Sequence, residues 1–555
     1  MFKKTKIAAV SAAVLGLSSM AAQAVSLNDS GSEGSVLIFP YYNVNNSFVT
    51  NFNITNTTDA YKAVKIRFRE SENSNDVLDF NLYLSPFDVF TMQLREGSDG
   101  GVNLTTTDKS CTHPTIPANG VLFRHAAYDS TSVEDVREGY LEVIEMGEVD
   151  ESAQLNSGQL IASQGILHKQ PEGVPFDCSV INTAWIEGVF TQGGAASNGM
   201  SQGDINTVNP KPTGYPVQEV DSMPGWYGQA VVSAITAPTG GLVGSSILID
   251  AANIAGFVAE PASVINYSTI AQHYLSSDEN FYLLPSLASG SSLDSDRVNT
   301  ATTATFGTVA RDWGMDDREV LPRTSVPSGI NPMPIADALL VTELGNQFFL
   351  GGGTATDMVV SAPMRKHAIY NNFKYIGPGV WNPAVALPVK DIPVGQTDPE
   401  ANIAEKAQLA ADNGYWSYQD ATDVKAGFVY WNREENKTEA EPGDFSPPLT
   451  TPDVFVPFER EVNILALNSE SGADSVLGSD NAQGLTLDAG FVDGWVRFTF
   501  DSSAYDLAGS RYENWVSTVP SSAKGVPLQG FMSARATLAG QFLGETFPHF
   551  NVRNR

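Results

Sequence analysis

Val64-Lys65-Ile66-Arg67-Phe68-Arg69 alternates apolar and cationic side chains without interruption. Successive side chains of a strand point to opposite faces, so this stretch reads as a β-strand with one apolar and one charged face. The same period recurs on either side of it. Upstream, Phe48, Thr50, Phe52 and Ile54 alternate with Val49, Asn51 and Asn53, and Asn56-Thr57-Thr58-Asp59 supplies a turn. Downstream, Phe80, Leu82 and Leu84 share one face while Asp79, Asn81 and Tyr83 share the other. Ser85-Pro86 interrupts the run before Phe90, Met92 and Leu94 resume it. Pro86 has no N–H for a ladder and belongs at an edge or a bend. Leu141 and Val143 add a further strand. Short strands at this spacing, joined by polar turns, predict an antiparallel, Ig-like β-sandwich over residues 25–150.

Beyond it the pattern loosens into a larger mixed, loop-rich remainder, read as a region 151–390 and a C-terminal β-containing region 391–555. Ser152 to Pro224 is rich in Gly, Ser, Asn and Pro, the composition of long loops. Thr239-Gly240-Gly241-Leu242-Val243-Gly244 has the glycines of a phosphate loop but not its Gly-Lys-Ser/Thr ending, and reads better as a turn into a buried strand. Helical patterns cover Ala262 to Leu275, Ile335 to Leu344 and Asp398 to Asp412, the last closed by Asn413-Gly414. Glu435 to Pro448 is an acidic, Pro-bearing linker. Val496, Phe498 and Phe500 alternate with Trp495, Arg497 and Thr499, so the C-terminal region can contribute strands to the first sheet. No internal repeat points to a solenoid or propeller. The expected class is mainly β with some helix.

Residues 1–24 carry an address. Lys3, Lys4 and Lys6 precede an apolar run from Ile7 to Leu17 and then Ala22-Gln23-Ala24, the pattern of a secretory signal peptide with an Ala-x-Ala cleavage site. The run is too short to span a bilayer, and the expected mature chain begins near Val25 with no transmembrane anchor. Export to the periplasm, cell surface or exterior follows. The formal charge of −31 argues against nucleic acid and anionic lipid as partners. With 42% hydrophobic and 10% aromatic residues, the chain can build real cores. Cys111 and Cys178 are the two cysteines, and in an oxidising compartment they predict one disulfide.

No catalytic motif rises above background. The six histidines, His113, His125, His168, His273, His367 and His549, show no zinc-binding spacing. A Gly-x-Ser-x-Gly spacing occurs at Gly199-Met200-Ser201-Gln202-Gly203, but it lies in the Gly- and Ser-rich stretch read as long loops and not in the strand-to-helix setting of a nucleophile elbow. Asp294 and Asp296 with Asn299 form one oxygen-rich stretch, and Asp312, Asp316, Asp317 and Glu319 form another. Clustered carboxylates in extracellular loops can hold calcium, although neither group has the EF-hand order. The competing account is a solvated acidic surface, the ordinary fate of such runs in an acidic chain. Trp185, Trp226, Tyr227, Trp313, Trp381, Tyr415 and Trp416 could stack on sugars, but aromatic residues serve equally as core packing.

Several blocks resemble a group of uncharacterised exported proteins of Gram-negative bacteria. They include Leu37-Ile38-Phe39-Pro40-Tyr41-Tyr42, Ile54-Thr55-Asn56-Thr57-Thr58 and Asn73-Ser74-Asn75-Asp76-Val77-Leu78-Asp79-Phe80. Leu84-Ser85-Pro86-Phe87-Asp88-Val89-Phe90-Thr91, Thr356-Asp357-Met358-Val359-Val360-Ser361-Ala362-Pro363 and Gly525-Val526-Pro527-Leu528-Gln529-Gly530-Phe531 extend the likeness along most of the chain. The resemblance implies export and a β-rich fold, and brings no activity or site residue with it. The expectation is an exported acidic envelope or extracellular protein with a structural, adhesive or binding role, directed at a cell-surface component or at other copies of itself. The alternatives are a secreted hydrolase of polysaccharide, with paired carboxylates as acid and base, and an outer-membrane β-barrel.

Overall fold

Tyr61–Glu70 is a strand through the interior of an eight-stranded sheet. The structure, a computed structural model, describes residues 25–29, 31–72, 74–125, 132–149, 162–181, 235–268, 334–363, 373–377, 380–383, 425–434, 455–458, 460–467, 475–488, 490–500 and 526–552, together with 151, 271, 273, 285 and 287. In the first sheet Ser26–Leu27, Ala262–Ile265, Val36–Asn43, Glu138–Val149, Tyr61–Glu70, Asp76–Leu84 and Cys111–His113 lie side by side. Ile235–Thr236 pairs with the end of Glu138–Val149. The second sheet has the order Ala255–Ala259, Leu242–Asp250, Phe48–Asn56, Val89–Glu96, Val102–Thr105 and Val121–Leu122.

These sheets pack face to face. Val64, Ile66, Phe68 and Leu82 from the first meet Phe52, Ile54, Phe90 and Leu94 from the second in one buried core. Each such side chain contributes about 1.5–3 kcal/mol when taken from water. Phe39 and Phe52 meet edge to face at 5.2 Å between centroids, an arrangement the ring quadrupoles favour. With eight strands in one layer and six in the other, this sandwich is larger than an Ig-like one, which has about seven to nine in all. The strands that complete both sheets, 235–265, lie beyond the expected boundary at residue 150.

A second pair of sheets is built from the later chain. Gln483–Leu485, Val462–Leu467, Thr354–Ser361, Gln529–Leu538 and Gln541–Pro548 make the third sheet. Phe455–Pro457, Lys425–Asn432, Asp493–Thr499, Glu343–Phe349 and Phe550–Val552 make the fourth. The C-terminal strands thus pair with 343–361 in sheets of their own. Phe348, Met358, Val360, Phe428, Val496 and Phe498 fill their core.

That core continues onto the first sheet. Val36, Ile38, Tyr41 and Tyr140 belong to it, while Leu37, Phe39 and Tyr42 face the first core. Val36–Asn43 is therefore buried on both faces, and every one of its residues is buried. Pro40 sits in this central strand at the place where the ladder with Glu138–Val149 shifts register between Gly139 and Leu141. A proline can donate nothing to a ladder and is tolerated in mid-sheet at such an irregularity. Gly139 is needed beside it, because a Cβ there would lie 1.9 Å from the Arg69 carbonyl oxygen.

Helix is scarce among the described residues. The helix expected over Ala262–Leu275 is instead a strand at Ala262–Ile265, where Ala262, Ser263 and Val264 pair with Val36–Ile38 on one side and Val264 and Ile265 pair with Ser26–Leu27 on the other. β-Branched side chains fit that pleat better than a helical turn. The helix expected over Ile335–Leu344 stops at Leu339, and Leu340–Val341 and Glu343–Phe349 are strands. Asp398–Asp412 and Glu435–Pro448 lie outside the described residues. No described helix is long and apolar enough to cross a membrane.

Candidate functional site

Phe48–Asn56 alternates strictly, with Phe48, Thr50, Phe52 and Ile54 buried and the residues between them half-buried on the outward face. Asn51 and Asn53 lead that face. Register places Asn51 beside Gln93 and Ile247, Asn53 beside Thr91 and Ser245, and Gln93 beside Thr105. The Gln93 amide donates to Asn51 Oδ1 at 3.0 Å, and the Asn53 amide donates to Ser245 Oγ at 2.7 Å. The carboxamides are held across the strands.

A groove of about 500 Å³ runs over them, with Thr106, Thr107 and Ala118 on one side and Ile247 on the other. The wall is pinned by Thr106, whose hydroxyl donates to the Thr91 carbonyl at 2.6 Å, and by Asp108, which accepts the Thr91 N–H at 3.1 Å. The lining carries the single cation Arg95 and no carboxylate. In a chain of net charge −31 that composition is distinctive. Carboxamides and hydroxyls each both donate and accept, which suits an uncharged ligand dense in hydroxyl groups. Val258 and Ile247, 48% and 38% exposed and paired across their strands, add apolar area to the same face.

A second recess, of about 680 Å³, lies between the two sandwiches and is lined by Asp29, Glu260, Gln529 and His549 among others. His549 has both ring nitrogens in use. Nε2 donates to the Val359 carbonyl at 2.8 Å and Nδ1 accepts from the Asn346 amide at 3.1 Å. Burial pushes this imidazole down to about 4, so it is neutral near pH 7 and is committed as a structural link.

The buried carboxylates are committed in the same way. Glu145 accepts the Lys62 ammonium at 2.9 Å, the Thr239 N–H at 3.1 Å and the Gly240 N–H at 2.7 Å. The glycine turn that looked like a phosphate cradle thus holds an anion of the protein's own. Glu142 accepts from Arg69 Nε at 3.0 Å, and Arg67 Nε lies 2.9 Å from Asp76. Lys65, Arg67 and Arg69 are wholly buried, as the charged face of Tyr61–Glu70 is covered. Part of that cover is the segment whose Pro285 carbonyl accepts from Arg67 at 3.0 Å.

The sequence-derived candidates divide cleanly. Cys111 and Cys178 form a disulfide, with Cα atoms 5.4 Å apart. Asp294, Asp296, Asp312, Asp316 and Asp317, the calcium candidates, lie outside the described residues, as do Trp185, Trp226, Tyr227, Trp313, Tyr415 and Trp416. Trp381 falls in the strand Val380–Pro383. Among the described residues no group of three or more His, Cys, Asp or Glu is placed to hold a metal ion. The groove residues were legible only as strand positions. The signal that marks them is the use of Asn, Gln, Thr and Ser at outward positions where an acidic chain would ordinarily place Asp or Glu. No family model, curated protein or solved structure matches this chain.

Proposed function

We propose that this is an exported binding or adhesive protein of the cell envelope or exterior, and that the groove over Asn51, Asn53 and Gln93 takes a neutral polysaccharide. The observation that carries the reading is the groove's lining: cross-braced carboxamides and hydroxyls, one arginine and no acid, on the outward face of a rigid sheet. A site built on strands is positioned more precisely than one on loops. Export draws support from the basic, apolar and Ala-x-Ala sequence of residues 1–24 and from a disulfide suited to an oxidising compartment.

Affinity electrophoresis of the purified mature protein tests the ligand class. Retardation in gels containing uncharged glucans or mannans, and none in gels containing polyuronates, is the expected result. Equal mobility in every gel removes the reading. Antibody-followed fractionation of the native host tests location, with recovery on washed cells or in the medium expected and recovery in the cytoplasm contradicting export.

A further inference from the structure

Lys65, Asp79 and Asn81 converge on the covered face of the first sheet. Lys65 lies on Tyr61–Glu70 and stands directly opposite Asn81 on Asp76–Leu84 in the antiparallel register. Its Nζ is 2.7 Å from Asp79 Oδ1 and 3.5 Å from Asn81 Oδ1. The side chain of Lys65 is wholly buried and that of Asp79 is 11% exposed. Asn81 is also wholly buried. On the far side, the Asn81 amide donates to the Tyr83 hydroxyl at 3.4 Å, and that hydroxyl is 3.0 Å from His273 Nε2. An amine, a carboxamide and a carboxylate are therefore packed together out of water.

From this arrangement we infer that Lys65 and Asn81 become joined by an intramolecular amide bond, formed by the folded protein itself with Asp79 as the proton carrier. Nζ attacks Cγ of Asn81, and Asp79 takes a proton from the attacking nitrogen. The same carboxyl returns a proton to the departing carboxamide nitrogen. The Cγ–Nδ2 bond breaks, ammonia leaves, and Nζ–Cγ is the new amide. Nothing is oxidised or reduced, and no co-reactant is consumed. Folding supplies what the uncatalysed reaction lacks, namely reacting groups held within reach and oriented. An amine nucleophile also has to be uncharged. Burial lowers the Lys65 ammonium from its ordinary range, opposed by Asp79 and assisted by the Arg67 charge. The link would tie two neighbouring strands of the first sheet irreversibly, independently of what the groove binds.

The test is peptide mass analysis of the reduced, alkylated mature protein after trypsin. Expected is a branched product in which Ala63–Arg67 is joined to Glu70–Arg95, lighter than the two peptides together by one ammonia and uncleaved after Lys65. Cleavage after Lys65, with Glu70–Arg95 recovered at its unmodified mass from folded protein, overturns the inference. A branched product lacking one water places the link on Asp79 and overturns the assignment to Asn81. Asp79→Asn, which keeps the size of the side chain, is expected to leave most molecules unlinked. Linkage at the wild-type extent in that variant removes Asp79 from the reaction.

Discussion

Ser479 donates a hydrogen bond to Glu138 at 2.8 Å, across 341 positions of chain. Glu138 opens a strand of the first sheet, and Ser479 lies in the turn 475–481 that follows the third sheet's strand Val462–Leu467. The same carboxylate accepts from Asn45 at 2.6 Å, from Tyr41 at 3.0 Å and from the Asp480 N–H at 3.1 Å. Asp357 of the third sheet holds the same turn from the other side, accepting from Ser475 at 2.5 Å and from the Leu477 N–H at 2.9 Å. Two buried carboxylates, one from each sandwich, grip one turn.

Glu138→Ala would therefore leave the donors of Tyr41, Asn45, Ser479 and Asp480 without their acceptor. A buried donor so abandoned costs about 1–3 kcal/mol. The expected loss is at least about 3 kcal/mol in urea unfolding, and the two sandwiches should cease to unfold as one transition. Loss of under about 1 kcal/mol, with a single transition retained, would show that the grip is not what couples them.

Asp357 adds a pH dependence of definite sign. Burial is the main cause that pushes its carboxyl up to about 6. The native state then holds the proton more tightly than the unfolded state, in which an aspartate titrates near 4. Stability from this group is greatest below about pH 4 and falls as pH rises to about 6, levelling off above, a change of about 3 kcal/mol. Asp357→Asn keeps the acceptor for Ser475 and Leu477 and never ionises. The variant is expected to gain on the wild type by about that amount at pH 7.5 and to match it near pH 4. Parallel stability curves for the two proteins between pH 4 and 7 would exclude Asp357 as the source.

How far the fold could be read from sequence depends on which face of a strand is asked about. Val64, Ile66 and Phe68 announce an inward face, and the core contains all three. Lys65, Arg67 and Arg69 announce only that the other face is charged, and nothing in their spacing says that this face is covered too. Covering it takes Ala162, Ile166 and Ile181, which share a small core with Ala63 and Tyr83, and the Pro285 carbonyl that Arg67 reaches, partners about a hundred to over two hundred positions away. Pro40 sits in the middle of the sheet because the irregularity between Gly139 and Leu141 admits it, and a proline's missing N–H gives no hint of such a place. The groove was hidden because its chemistry lies in register: Asn51, Gln93 and Thr105 become neighbours only once three strands are aligned.

The disulfide yields a third prediction. Cys111 is buried in an edge strand and packs in a small core with Tyr83, Ile166 and Ile181, while Cys178 closes a loop of 67 positions back onto it. Constraining the unfolded chain over a loop of that size is worth about 4 kcal/mol in the chain-entropy account. Cys178→Ser should lower the unfolding free energy by about 3–4 kcal/mol and expose 162–181 to protease. A change of under about 1 kcal/mol would mean that the unfolded chain is already confined there by other contacts.

The groove can be tested without disturbing the fold. Asn51→Asp keeps the oxygen that accepts from Gln93, and Arg95 lines the same groove, so stability should stay within about 0.5 kcal/mol of the wild type. What changes is the ligand's environment. The variant loses the amide N–H donors of Asn51 and gains a negative charge in a groove whose lining has none. A hydroxyl-rich ligand bound there should weaken by at least about tenfold, or roughly 1.4 kcal/mol. Thr537→Ala, on a strand of the third sheet, should leave binding unchanged. If both variants bind the neutral polysaccharide alike, the outward face of the second sheet is not where it sits. If Asn51→Asp binds more weakly while Thr537→Ala binds as the wild type does, the outward face of the second sheet is where the polysaccharide sits.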